Sequence, residues 1–218
     1  MRSVLPLSYR VIWKANVRCF EQVMLSWNFN ELNMILPIYV YGQPVLRKAA
    51  EDIDANYPDL KDLISNMFET MDKAEGVGLA APQIGLPIRV VVVNLDVLSD
   101  EFPEYKDFRK VYINAHILEV GGEEVSMEEG CLSLPGIHEA VKRGTKIHVK
   151  YRDENFVEHD EVVEGYLARV MQHEFDHLEG KMFIDHLPPL RRQMMKGKLN
   201  AMLKGKAHCT YKVKTLRK

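Results

Sequence analysis

Leu60, Leu63, Ile64, Met67, Phe68 and Met71 recur every three or four residues, a spacing that predicts an amphipathic helix. Asp59 stands where its side chain could cap that helix. Residues 44–56 predict an earlier helix with Pro44 in its first turn. Residues 88–94 form an unbroken, β-branched run, the pattern of a buried strand. Residues 110–120, 123–127, 147–152 and 156–162 read as further strands, with Gly121-Gly122 and Asp153-Glu154-Asn155 as turns between them. A third helix is expected over 163–178, stopping at Gly180, and Pro188-Pro189 opens a last helix over 190–203 with basic residues on its exposed face. Helices, then mostly antiparallel strands, then helices predict an α+β fold. Its strands are expected to pack around the central third helix, with helices N-terminal to the strands and a helix at the C-terminal end. The most apolar stretch, residues 86–95, already contains Arg89 and Asn94, so no run reaches the roughly 18 apolar residues of a membrane span. No membrane role is expected.

A chain of 218 residues suits one domain with appendages. Residues 1–33 differ from the rest of the chain. They hold both tryptophans, and Arg2, Arg10, Lys14 and Arg18 precede the first acid, Glu21. They read as an extension upstream of a functional start at Met34; the other reading is a targeting segment of the transit type. The compact domain is expected over 34–187, followed by a basic C-terminal helix and tail over 188–218. From Gly180 onward there are 11 Lys/Arg and one acid, Asp185, so a near-neutral total of −2 conceals an acidic body and a basic tail. Cys19, Cys131 and Cys209 are odd in number and far apart, which argues against a disulfide framework and for a reducing cytoplasm.

The sharpest chemical feature is Gln172-His173-Glu174-Phe175-Asp176-His177. Residues four apart share a helix face, so His173 and His177 can both aim a ring nitrogen at one metal ion, with Glu174 placed to take a proton from water at that ion. Tyr166 and Val170 lie on the same stripe, so the histidines continue an apolar face rather than a solvated one. A catalytic site of this kind needs a third protein ligand and an open position. The third histidine of an extended HExxHxxGxxH pattern would fall at Phe183, and no glutamate follows Glu179. Asp185 and His186 lie just past the turn, so the ligand is sought upstream. Cys131, in Glu129-Gly130-Cys131-Leu132-Ser133, leads the candidates; His116, His138, His148 and His159 compete, the last two in charged stretches that favour solvation.

Three segments in this order resemble the peptide deformylase family: Gly76-Val77-Gly78-Leu79-Ala80-Ala81-Pro82-Gln83, Glu129 to Ser133, and Gln172 to Gly180. The resemblance covers about residues 34–187. It implies removal of the N-formyl group from nascent polypeptides that begin with formylmethionine. It also implies Cys131, His173 and His177 as metal ligands, with metal-bound water attacking the formyl carbon and Glu174 as general acid and base. The Leu132 N–H and the Gln83 amide are the implied oxyanion donors. Val77, Gly78 and Gly130 would line the substrate cleft, and Tyr166 and Val170 the methionine pocket. The implied metal is Fe(II), with Zn(II), Ni(II) or Co(II) as substitutes. His138 departs from the arginine many members carry seven residues after the cysteine, which would make that peptide contact weaker or pH-sensitive. The basic tail suits a phosphate-rich ribosomal surface, without sequence-specific nucleic-acid recognition. A zinc peptidase and a ribosome-associated module with a structural metal are the rival readings; the missing third histidine argues against the first, and Glu174 beside a three-ligand set against the second.

Overall fold

The computed structural model describes residues 34–216; the expectations for residues 1–33 fall outside them. The described chain gathers around a five-stranded antiparallel sheet. Its strands are β2 (Gly78–Ala80), β3 (Val90–Asn94), β4 (Arg109–Gly130), β5 (His138–Arg152) and β6 (Glu158–Glu164), adjacent in that order. A separate two-residue parallel pairing joins β1 (Ile38–Tyr39) to β7 (Val213–Lys214). The helices are α1 (Leu60–Lys73), α2 (Gly165–Leu178), α3 (Pro189–Met194) and α4 (Lys196–Leu203).

Side chains alternate across a strand, and that alternation sorts the core. Val90, Val92, Val111 and Ile113 pack with Met67, Phe68 and Met71 of α1. Val91, Val93 and Tyr112 face the other way, onto Val170, Met171 and Phe175 of α2. The sheet therefore separates the two helices, and α2 carries its histidines against one face. A third cluster joins Leu46, Leu134, Ile137 and Val141 to Phe183, Ile184 and Leu187 and to Met195, Leu199 and Met202 of the C-terminal region. The basic tail is thus tied into the core by its apolar face, while Arg191, Arg192, Lys196 and Lys198 are exposed.

Four local expectations need correction. Residues 44–56 form only a 3-10 turn, Pro44–Arg47, because tertiary partners capture the backbone beyond it. The Ala50 N–H donates to the Leu178 carbonyl, Glu51 bridges to Ile88, and Ile53 exchanges hydrogen bonds with the Asn114 amide. Asp59 adopts φ 52° with no side-chain cap; its carbonyl accepts the Leu63 N–H instead. Gly121-Gly122 is not a turn between two strands. β4 runs through it, absorbing the glycines in a register shift between Gly121 and Glu124, as bulges do. The last helix is broken into α3 and α4 at Met195, whose side chain is buried.

Candidate functional site

Two strand ends and one helix build the site. β4 ends at Gly130, where Cys131 to Leu134 close a turn through the Leu134 N–H and the Cys131 carbonyl at 2.9 Å. α2 presents His173 and His177 one turn apart. The Cys131 sulfur and one nitrogen of each histidine all lie within 4.8 Å of one another, the one such cluster among the described residues. Cys131 Sγ is 3.2 Å from His177 Nε2.

A second contact fixes how His173 points. His173 Nδ1 lies 2.9 Å from Glu129 Oε2. An ionised carboxylate only accepts, so Nδ1 carries the proton and Nε2 is free for a ligand bond. Glu129 is itself buried, gripped by Arg143 at 2.6 and 2.9 Å and by Arg169 at 2.7 Å. Arg143 also reaches Asp176, which pairs with His186 at 2.7 Å. Burial works against the Glu129 charge, but the His173 and Arg143 hydrogen bonds outweigh it and hold the carboxyl down at about 2. Cys131 follows the same logic: burial opposes its thiolate, yet the charge of His177 and hydrogen bonds from both histidines bring the thiol down to about 5. Burial pushes the Glu174 carboxyl up.

Among the described residues, two buried polar atoms, Glu174 Oε2 and His177 Nδ1, have no hydrogen-bond partner. A thiolate and two imidazoles converging on one point, with an orphaned carboxylate oxygen beside them, fit a divalent ion with nitrogen and sulfur ligands and an adjacent water. Gly78 makes room for this carboxylate: a Cβ there would stand 2.7 Å from Glu174 Cγ and Cδ. Gln83 is buried, its Oε1 held by the Ala80 N–H at 2.8 Å. Its Nε2 is thereby turned toward Cys131 Sγ at 3.6 Å and Ser133 Oγ at 3.3 Å.

A cavity of about 560 Å³ opens over this centre. Val77, Gly78, Gln83, Gly130, Cys131, Leu132, His138, Tyr166, Val170, His173 and Glu174, all singled out from the sequence, line it. His177 lies fully buried beneath. His138 bends over Gly130, where a Cβ would meet its ring at 2.8 Å. The competing histidines are engaged elsewhere: His116 with Asp52, His148 with Asp160, His159 with Asp153, and His186 with Asp176. Sequence reasoning missed Glu129, Arg143 and Arg169, whose pairing spans 14 and 40 residues and has no local signal. It also missed that His208 to Tyr211, from the basic tail, reach the cavity wall.

Residues 35–193 match the family model described as polypeptide deformylase. The peptide deformylase of Christiangramia forsetii is 48% identical over 188 residues, which cover 83% of this chain and 96% of that protein. Among solved structures, a peptide deformylase from Legionella pneumophila superposes with a TM-score of 0.69 at 39% identity, covering 79% of this chain and 98% of that one. A Met-Ala-Ser-bound class I type b peptide deformylase from Acinetobacter baumannii superposes with a TM-score of 0.63 at 34% identity, covering 72% and 100%. With the antiparallel sheet, the cysteine–histidine cluster and the sequence match all in agreement, the chain belongs to the polypeptide deformylase family of enzymes.

Proposed function

We propose that Cys131, His173 and His177 hold one catalytic divalent metal, and that the surrounding cleft uses it to hydrolyse the formyl amide of N-formylmethionyl nascent peptides. The observation that carries this reading is the orphaned Glu174 oxygen next to three convergent ligand atoms at the floor of a peptide-sized cavity. Family membership supplies the substrate class, and the Met-Ala-Ser bound to the Acinetobacter baumannii relative is what such a reaction would leave behind. Fe(II) is the metal we assign in the cell, on the family resemblance; thiolate and imidazole ligands leave room for Zn(II), Ni(II) or Co(II) as substitutes.

When bound, the ion supplies a Lewis acid that acidifies water. The protein does the rest. Glu174 Oε2 takes the proton of the attacking water and later returns it to the departing amine. The Gln83 amide and the Leu132 N–H donate to the formyl oxygen as charge develops on it, and removing such a donor typically costs about 3–4 kcal/mol of barrier. Glu129 keeps the His173 ring turned toward the ion. Val77 and Gly78 form a wall along the peptide, Gly130 and His138 a second contact, and Tyr166 and Val170 receive the methionine side chain. We assign this chemistry to residues 34–187. Anaerobically purified, metal-loaded protein should convert formyl-Met-Ala-Ser to Met-Ala-Ser and leave the unformylated peptide intact, as read by mass spectrometry; cleavage of the Met–Ala bond instead would favour a peptidase.

The exposed basic residues of α3 and α4 also support ribosome docking, through attraction to phosphate that weakens with salt. Replacing Arg191, Arg192, Lys196 and Lys198 by glutamine should abolish salt-sensitive co-sedimentation with ribosomes. Unchanged co-sedimentation would remove this part of the reading.

A further inference from the structure

The turn that carries Cys131 and Leu132 is held from three sides. Its first carbonyl, of Cys131, accepts the Leu134 N–H at 2.9 Å, and the Ser133 carbonyl accepts the Tyr41 N–H at 2.9 Å. The middle carbonyl, of Leu132, accepts the Tyr211 hydroxyl at 2.8 Å, from 79 residues further along the chain. The Leu132 side chain is seated as well, its Cδ1 so near Gly76 that a Cβ there would lie 2.8 Å away. Every handle on Leu132 is therefore gripped except its N–H, which has no acceptor among the described residues.

Tyr211 is not a loose tail residue. Its ring packs with the cluster of Leu79, Met71 and Leu132. Immediately after it the chain is pinned to β1: the Ile38 N–H donates to the Lys212 carbonyl at 2.8 Å, and Val213 and Lys214 pair with Ile38 and Tyr39. The Gln43 amide donates to the Lys214 carbonyl at 3.3 Å. Just before it, His208, Cys209 and Thr210 line the cavity. Burial, together with the nearby Cys209 and Cys131, pushes the Tyr211 phenol up, so it stays protonated and remains a donor at any working pH.

We infer that residues 208–211 form a strap that completes the substrate cleft, and that Tyr211 is a positioning residue which fixes the Leu132 peptide so that its N–H faces the formyl oxygen. The inference deepens the deformylase reading and rests on it for the substrate. A preorganised donor gains its effect from being held in place before charge develops, so loosening it weakens the transition state more than the ground state.

The test is Tyr211→Phe in the metal-loaded full-length protein, which removes one oxygen and keeps the ring. With formyl-Met-Ala-Ser, kcat should fall roughly tenfold while KM changes by less than about threefold, at unchanged metal content and Tm. Hydrogen exchange read by mass spectrometry should speed up several-fold in the segment spanning Cys131 to Leu134 and stay as it was across α2. Unaltered exchange in that turn overturns the inference, as does a loss confined to KM or traced to lost metal. If the wild-type protein leaves the formyl peptide intact, the functional reading falls, and the exchange measurement still decides whether Tyr211 holds the turn.

Discussion

In the proposed mechanism a single oxygen separates a metal site from a catalyst. Glu174 is buried against the cysteine–histidine cluster, and one of its oxygens has no partner among the described residues. Glu174→Gln keeps the shape and removes the proposed base, so turnover of formyl-Met-Ala-Ser should drop by about 10²–10⁴ while metal content holds, checked by initial rates and elemental analysis. Glu129 acts one step away. It fixes the tautomer of His173 while two arginines hold it in turn. Glu129→Gln should weaken metal binding by about 10–100-fold in competition with a chelator and lower Tm as well, because Arg143 and Arg169 lose their buried partner. The proposed ligand cysteine and histidines stand out in the sequence because metal chemistry restricts residue type and helical spacing. Glu129 sits two residues before Cys131 yet carries no such mark: in sequence it is one of four glutamates within residues 123–129, and only burial sets it apart.

At the scale of elements, the glycine loop and the long strands decide how closely the parts approach. Gly78 opens β2 against Glu174 of α2, with no room for a Cβ. Gly78→Ala should cost most of the activity, by pushing the Glu174 side chain aside, while circular dichroism shows the fold retained. β4, β5 and α2 meet at an aromatic cluster: Tyr112 lies 4.7 Å from the Tyr151 ring and 5.9 Å from that of Phe175. Burial pushes both phenols above their ordinary value of 10.0, and neighbouring Glu161 adds to each. A raised folded value means that folding favours the neutral phenol. That contribution is present below about pH 10 and is lost as the pH rises beyond it. Chemical denaturation should therefore show stability falling above pH 10, and Tyr112→Phe should flatten that slope. Two of the element expectations that failed, the helix over 44–56 and the turn at Gly121-Gly122, failed because backbone partners distant in sequence overrode local preference.

Across the whole molecule, the metal would join distant parts of the chain, for Cys131 follows β4 while both histidines ride on α2. Such an ion binds the folded state far better than the unfolded one, so it stabilises by mass action, about 4 kcal/mol at a thousandfold excess over Kd. Chelation should lower Tm by several degrees, as should Cys131→Ser, both followed by scanning calorimetry; a Tm indifferent to chelator would contradict a site shared by the sheet and the helix. The C-terminal region serves the whole in a comparable way. Its apolar side completes the core at Met195, Leu199 and Met202, its end pairs with β1, and residues between them reach the cleft.

Spacing alone placed the histidine pair, because about four residues make one turn of an α-helix and bring His173 and His177 to one face. The order of helical and strand-like segments likewise gave the α+β character, since β-branched runs between turn residues are buried as strands. The sequence singled out Cys131, and the folded molecule brings it to the two histidines; only that fold decided that Glu129 orients His173 and that Tyr211 grips Leu132. Those contacts join residues 44 to 79 positions apart, and the sequence carries no period over such distances. Their geometry comes from the way the sheet, α2 and the C-terminal strap close around one cavity.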